Sequence, residues 1–554
     1  MIQRTRTHRF LYPALTAAAI VLITGSAFAQ DSHAEKTTTT TVSAEPTKPH
    51  ALAPDGVSEG SVTVGGKSIA YKAVAGLLRV GGNDVTDATI ALDGTMAPDS
   101  GMDAPKPGDE PATSTMFYTA YFAKGENLGT RPIVFIYNGG PGSATMYLRM
   151  ASFGPVRVVL PDLGHPAGGP YKIVPNEDSL LDTADLVFID APGTGYSRVM
   201  GKDGGKSFYG IDQDAGAFQR FIRRFLTKYD RWSSPRFLFG ESYGTTRDAV
   251  LAAALQRHGV DLNGVVFLSQ ILSFDDSADG SDGNPGTENG FFLALPSFAA
   301  TAWYHHKVPN QPAELLPWLH EVEQFSLGEY ASALLQGADL DATKKAAVAA
   351  KLESYTGIPT ALWIKANLRL TGGQFAKNLL DGSDENTGRL DSRWKGPSMN
   401  PMDSEAGSDP FSESIESAIE AAMNTYAHDT LNFGKEMTYE PSARMGGFHW
   451  DMTVKGQGGG WSGTSSNVMS EIAYTMKVNP HMHILLMGGY FDLGTLYFGA
   501  TYEMKHLPMP ESLQKNIDYK FFQTGHMVYV NPEARAALRQ RTAEFIRANE
   551  NPAP

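Results

Sequence analysis

Cysteine is absent from the 554 residues of this chain. Thiol nucleophiles, thiolate-bound metals and disulfide bonds are therefore all excluded. The chain also lacks the His-Glu-x-x-His pattern of zinc peptidases. Gly66-Lys67-Ser68 and Gly205-Lys206-Ser207 end like phosphate-binding loops but lack the earlier glycine that such loops need. We therefore predict neither a metal nor a cofactor.

Positive charge is scarce, with 46 Lys and Arg residues against 60 Asp and Glu residues and a formal net charge of -14. No basic run occurs beyond the N-terminus, so the composition argues against a nucleic-acid partner. The hydrophobic fraction of 42% is that of an ordinary globular protein with a sizeable core. The length allows several domains or one catalytic domain with insertions.

The N-terminus has the pattern of an export signal. Arg4, Arg6 and Arg9 precede an apolar run from Leu11 to Ile23, and Ala27-Phe28-Ala29 resembles a cleavage site. The alternative, a membrane anchor, needs about 20 apolar residues, and this run is shorter. We predict a signal peptide over 1–29, a disordered leader over 30–57 and no membrane attachment after cleavage. A disulfide-free exported protein of this size is typical of bacteria, which predicts a periplasmic or secreted location.

The spacing of apolar residues changes along the chain. Between 58 and 124 they alternate with polar residues, which predicts antiparallel strands. From about 131, continuous apolar runs such as Ile133–Tyr137 and Leu186–Ile189 alternate with helical stretches. Buried strands separated by helices predict an α/β fold with a mostly parallel sheet.

This alternation is interrupted between about 275 and 475. The interval contains helical patterns such as Leu315–Phe325 and Ile415–Tyr426, but no parallel-strand rhythm. We interpret 275–475 as a mainly helical cap inserted into one catalytic fold. The core would then comprise 58–274 and 476–554.

A Gly-x-Ser-x-Gly pattern, Gly240-Glu241-Ser242-Tyr243-Gly244, directly follows the apolar run Phe237–Phe239. A serine on a sharp strand-to-helix turn exposes its hydroxyl, and small flanking residues allow the turn. An isolated match is as often an ordinary turn. Another segment favours the catalytic interpretation, because Asn138-Gly139-Gly140-Pro141-Gly142 also follows a strand and could present backbone N–H groups to an oxyanion.

These segments resemble the serine carboxypeptidases, a family with the α/β-hydrolase fold. The resemblance covers roughly 131–548 outside the cap and rests on five motifs in the family's order. Two are the segments that begin at Asn138 and Gly240. The other three are Asp190-Ala191-Pro192-Gly193-Thr194-Gly195-Tyr196-Ser197, Gly488-Gly489-Tyr490-Phe491-Asp492 and Gly525-His526-Met527-Val528.

The chain order of the candidate triad agrees with this resemblance. α/β-Hydrolases place the nucleophile first, the acid second and the histidine last, as Ser242, Asp492 and His526 do. All three follow predicted strands and would meet at one edge of the sheet. The N–H of Tyr243 is a candidate oxyanion donor, and the resemblance places a second donor at Gly140.

The resemblance also implies that Asn138 and Glu241 bind the free C-terminal carboxylate of a peptide substrate. Glu241 beside an anion requires a shared proton, which predicts better activity in acid. Alternatively, Glu241 is a structural carboxylate. Eukaryotic members carry a second glutamate where this chain has Ser152, and nearby Arg149 could supply charge instead.

The predicted function is thus a serine carboxypeptidase acting on peptide or protein C-termini. An esterase or acyltransferase is the alternative on the same fold, because fold and triad do not separate these activities. A non-catalytic binding protein on a hydrolase scaffold is the alternative of another class, although such proteins usually lose a triad member.

N-terminal sequencing of the exported protein tests the predicted signal peptide. We expect the mature chain to begin near Gln30 and to fractionate with periplasmic or secreted proteins. An intact Met1 in the membrane fraction would contradict the prediction.

Overall fold

The computed structural model describes residues 51–97, 106, 108–280, 284–443, 448–454 and 466–551. The predicted signal peptide and residues 30–50 of the predicted leader lie outside this part of the chain. The first strand begins at Gly56, so residues 56 and 57 belong to the sheet and not to the predicted leader.

Strands and helices alternate through the hydrolase part of the chain. The strands are β1 Gly56–Val64, β2 Lys67–Gly81, β3 Thr113–Ala123, β4 Ile133–Tyr137, β5 Val156–Val158, β6 Ile173–Pro175, β7 Asp185–Ile189, β8 Arg198–Met200, β9 Arg236–Glu241, β10 Gly264–Leu268, β11 Glu385–Thr387, β12 Lys395–Pro397, β13 His483–Gly489 and β14 Ile517–Phe522.

The helices of the first half are α1 Asp84–Ala88, α2 Gly204–Phe208, α3 Ile211–Lys228, α4 Tyr243–Arg257, α5 Asn289–Tyr304, α6 Leu315–Phe325 and α7 Ala331–Leu335. They are followed by α8 Ala342–Thr356, α9 Thr360–Lys365, α10 Gly372–Asn378, α11 Pro410–Asp429, α12 Met469–Val478, α13 Tyr497–Lys505 and α14 Pro532–Asn549. Among the described residues, no helix combines the length and apolar character needed to cross a bilayer.

The described strands form a central ten-stranded sheet in the order β1-β2-β3-β7-β4-β9-β10-β13-β14, with β8 paired to β3. The contacts from β1 to β7 are antiparallel. Those from β7 to β14 are parallel, so β4, β9 and β13 end at the same edge of the sheet. This topology confirms the predicted α/β-hydrolase class.

Helices cover both faces of the parallel part of the sheet. Along β4, Val134 and Ile136 pack into one apolar cluster, while Ile133, Phe135 and Tyr137 pack into the cluster on the opposite face. A strand buried on both faces needs apolar residues at successive positions, which explains the continuous runs in the sequence.

The chain between β10 and β13 is mainly helical and has its own apolar core. Within it, the rings of Phe298 and Phe375 stack with centroids 4.1 Å apart. Phe491 and Leu493, which flank Asp492 after β13, are buried in the same core. The loop that carries the candidate acid is therefore packed by the inserted helices. The last inserted helix, α12, packs against α4.

The motif from Asp190 to Ser197 forms a buried polar centre against the loop that follows β4. Asp190 pairs with the fully buried Arg149 at 3.3 Å and also accepts hydrogen bonds from Thr145 N and the Tyr439 hydroxyl. Arg149 also donates to the sulfur of Met423, on α11. These contacts connect the inserted helices to the sheet.

Replacing Arg149 by Met should lower the free energy of unfolding by about 3–5 kcal/mol, because it leaves Asp190 buried without its cation. Burial already raises the pKa of Asp190. The loss should therefore be larger at neutral pH, where the carboxylate must stay charged, than in acid, where it is protonated.

Denaturant titrations at two pH values measure the effect of Arg149→Met. Arg541→Gln, which changes a half-buried arginine on α14, is the matched control and should cost less than about 0.5 kcal/mol. Equal stability of Arg149→Met and the wild-type protein would contradict the structural role of Arg149.

Candidate active site

Ser242 occupies the sharp turn between β9 and α4. Its backbone has φ 61° and ψ −130°, a strained conformation for a residue with a side chain. A Cβ atom on Gly240 would lie 2.4 Å from the carbonyl oxygen of Gly244, so the turn requires glycine there. The structure thus has the strand, turn and helix that the Gly-x-Ser-x-Gly pattern predicts.

Asp492 and His526 come together at the same edge of the sheet. The Nδ1 atom of His526 lies 2.7 Å from Oδ2 of Asp492. Oδ1 of Asp492 accepts the N–H groups of Gly494 at 2.8 Å and Thr495 at 3.0 Å, which fix the carboxylate. Because Nδ1 is engaged by Asp492, the other ring nitrogen, Nε2, remains for the cavity that His526 and Ser242 both line.

Backbone contacts fix the position of His526. Its N–H donates to the carbonyl oxygen of Leu390 at 2.7 Å, and its own carbonyl accepts the hydroxyl of Ser269 at 2.7 Å. Burial lowers the pKa of His526, but the charge and hydrogen bond of Asp492 outweigh it, so the net pKa is above its usual value.

The loop after β4 crosses closely over the serine turn. A Cβ atom on Gly139 would lie 2.4 Å from the backbone nitrogen of Tyr243. Gly140 lines the cavity with φ 109°, a conformation that favours glycine. Tyr243 is the first residue of α4, where an N–H has no acceptor within the helix. The two predicted oxyanion donors therefore belong to backbone segments in close contact.

Asn138 and Glu241 form a buried pair beside Ser242. Nδ2 of Asn138 donates to Oε2 of Glu241 at 2.6 Å, and Oδ1 of Asn138 accepts the N–H of Leu148 at 3.1 Å. Glu241 is only 1% exposed. Burial raises its pKa to about 7, although His526, Tyr529 and Asn138 lower it. Near neutral pH, this carboxyl group is therefore close to half protonated.

Tyr529 belongs to the site although no motif indicates it. Its hydroxyl donates to Glu241, 2.8 Å from Oε2 and 3.1 Å from Oε1. In the sequence it is one residue of the apolar run after His526. Only the approach of that segment to β9 reveals its contact with the glutamate.

Arg149 does not supply charge to the cavity. Its guanidinium is buried against Asp190, between the rings of Phe117 and Phe188. Ser152 is also fully buried and does not line the cavity. The alternative in which Arg149 replaces the missing glutamate is therefore wrong, because its side chain is committed to the core.

The cavity has a volume of about 300 Å³ and two walls. The hydrolase wall consists of the loop after β4, the serine turn and His526 with Met527. The lining residues from the insertion, which we call the cap wall, are Arg389, Leu390, Ser412 and Ile415. No motif in the sequence indicated the cap wall, because its residues come from an irregular segment and from the first turns of α11.

A sequence profile described as serine carboxypeptidase matches residues 107–265. This segment includes the motifs at Asn138, Asp190 and Gly240, but neither Asp492 nor His526. The two motifs that contain Asp492 and His526 lie outside the matched segment, and only the structure brings them to the same edge of the sheet as Ser242.

The chain is also similar to pheromone-processing carboxypeptidases. The KEX1 protein of Saccharomyces cerevisiae is 31% identical over 160 residues, covering 27% of this chain and 21% of that protein. The Yarrowia lipolytica protein is 32% identical over 133 residues, covering 24% and 20%. The match thus spans about a fifth of the length of these curated relatives.

Solved structures of hydrolases are more distant. Proline iminopeptidase from Mycobacterium smegmatis is 12% identical, with a TM-score of 0.33, and the match covers 79% of this chain and 96% of that one. A carboxyl esterase from Bacillus coagulans is 13% identical, with a TM-score of 0.34, and the match covers 79% and 95%. Because these TM-scores are below 0.5, the two structures carry no argument here. The assignment of the fold rests on the order of the strands in the sheet. Over the matched segment, 107–265, the chain is thus similar to the serine carboxypeptidase family.

Proposed function

We propose that the protein is a serine-type carboxypeptidase that releases C-terminal amino acids from peptides. The observation that carries the proposal is the buried Asn138–Glu241 pair beside Ser242 and His526. An amide and a carboxyl group with a raised pKa can hold a substrate carboxylate by donating an N–H and a proton. An ester or amide substrate has no free carboxylate to share that proton, so the pair would not strengthen its binding.

Ser242 attacks the carbonyl carbon of the last peptide bond, and Nε2 of His526 takes the hydroxyl proton. Asp492 keeps the imidazole oriented and stabilises its cation through the 2.7 Å contact with Nδ1. The N–H groups of Gly140 and Tyr243 would stabilise the oxyanion. His526 returns the proton to the leaving amine, and water then hydrolyses the acyl-enzyme on Ser242.

The rival activity on this fold is an esterase or acyltransferase, which would share the triad and the oxyanion donors. The two activities differ in their dependence on a free carboxylate. The third possibility is a non-catalytic binding protein. Such a protein would not need the hydrogen bond between Asp492 and His526, so this contact favours an enzyme. That the substrates are peptides or protein C-termini, and that the protein is exported, also belongs to this proposal.

Labelling with a fluorophosphonate should modify one serine, and peptide mapping should find it at Ser242. Ser242→Ala, His526→Ala and the double variant should each reduce kcat by similar factors, about 10⁴- to 10⁶-fold, because the residues act as a unit. Ser354→Ala, on an exposed face of α8, is the control. Labelling elsewhere, or independent losses that multiply in the double variant, would argue against the triad.

Binding of free-acid peptides should weaken as the pH rises through about 7. Below that pH the Glu241 carboxyl group is neutral and can share its proton. Above it, two carboxylates face each other and repel, so KM for free-acid peptides rises. Glu241→Gln keeps a donor without a titrating proton and should flatten this rise. Because charged Glu241 raises the pKa of His526 in the free enzyme, the same variant should also move the acid limb of kcat/KM to lower pH.

The measurement is KM and kcat against pH for matched free-acid and amidated peptides. Glu503→Gln is the matched control, since Glu503 is another buried glutamate whose raised pKa, about 8, belongs to a group outside the cavity. It should retain the wild-type profile. If the wild-type protein cleaves amides as well as free acids at every pH, the enzyme has no carboxylate grip and is an endopeptidase or esterase.

A further inference from the structure

The cap wall brings a positive charge into the cavity that Asn138 and Glu241 also line. Arg389 is the only lysine or arginine among the described residues that line the cavity. Its side chain is 49% exposed, so water and a bound substrate can both reach it. Its charge works against that of Asp492 on the pKa of His526, in agreement with its place in the lining that His526 shares. Neither a family motif nor the pattern of the sequence marks this residue.

Backbone hydrogen bonds fix the main chain at Arg389 to the loops that carry Asp492 and His526. The carbonyl oxygen of Arg389 accepts the N–H of Leu493 at 2.9 Å, next to Asp492. The carbonyl of the following residue, Leu390, accepts the N–H of His526. The N–H of Arg389 donates to Asp409 at 3.0 Å. The position of Arg389 is thus set by the same contacts that hold the catalytic residues.

The carboxylates near Arg389 leave its charge available. Its partner Asp279 lies 3.3 Å away and is 40% exposed, and a pair this accessible contributes only about 0–1 kcal/mol. Asp409 accepts hydrogen bonds from the backbone at the start of α11 and from the hydroxyl of Ser412. Glu416 accepts a hydrogen bond from the hydroxyl of Tyr147, which lines the same cavity. A substrate carboxylate that enters the cavity can therefore compete with Asp279 for the guanidinium.

We propose that Arg389 selects substrates whose C-terminal residue is aspartate or glutamate. This inference rests on the proposed function. If Asn138 and Glu241 hold the main-chain carboxylate, the leaving residue lies between the two walls and its side chain meets the cap wall. The whole cavity, of about 300 Å³, has room for the side chain of the leaving residue. Arg389 would bind the side-chain carboxylate with the paired N–H groups of its guanidinium.

Cleavage of matched dipeptides tests the selectivity. The wild-type protein should cleave a blocked peptide that ends in glutamate with a kcat/KM about 10- to 100-fold above that of the peptide ending in glutamine, as charge-assisted hydrogen bonds allow. Arg389→Gln should reduce this ratio to near one. Arg541→Gln should keep the wild-type ratio.

Charge reversal provides a stricter version of the experiment. Arg389→Glu should disfavour the glutamate peptide and favour one that ends in lysine. If the variant instead loses activity equally on all peptides, Arg389 has a structural role in the cap and the inference is wrong. A wild-type ratio near one would also overturn it.

A binding measurement separates this inference from the proposed function. Calorimetric titration of the full-length Ser242→Ala protein with acetyl-Phe-Glu and acetyl-Phe-Gln needs no turnover. Tighter binding of the glutamate peptide that disappears in Ser242→Ala/Arg389→Gln supports the role of Arg389, even if the wild-type protein cleaves only esters. Equal affinities for the two peptides would overturn it, even if the protein is a carboxypeptidase.

Discussion

The close packing of two backbone turns, at the ends of β4 and β9, is the constraint on which the site depends. Any side chain on Gly139 would collide with the backbone of Tyr243, and any on Gly240 with that of Gly244. Ser242 has its strained conformation within this packed region, and Gly140 and Tyr243 lie on either side of the contact between the turns. The packing also places Asn138 within hydrogen-bonding distance of Glu241, so the candidate grip and the oxyanion donors arise from one packing arrangement.

The inserted helices complete the site from the opposite side. A short segment of the insertion, Arg389–Trp394, donates and accepts backbone hydrogen bonds with the loops of Asp492 and His526. The apolar residues on either side of Asp492 lie in the core of the insertion. The insertion is therefore part of the catalytic framework as well as one wall of the cavity. A change in the cap that shifts this segment would alter the triad and the pocket together.

Burial decides the chemistry of the polar residues. Glu241 and Arg149 are both buried ionisable residues close to the loop after β4, yet they have different roles. Glu241 lines the cavity, has a raised pKa and accepts hydrogen bonds from Asn138 and Tyr529. Arg149 is enclosed by aromatic rings and neutralised by Asp190. The sequence did not distinguish the surroundings of these two side chains.

The sequence by itself determined the fold class, which depends on local patterns, and indicated the candidate triad through short motifs in a family's order. Continuous apolar runs specify strands buried on two faces, and glycines beside Ser242 specify a turn that few other residues allow. The tertiary structure alone decided that Tyr529 binds Glu241, that Arg149 belongs to the core and that Arg389 faces the cavity. Those contacts join segments up to 288 residues apart, and irregular segments of the cap carry no periodicity that predicts where their side chains lie.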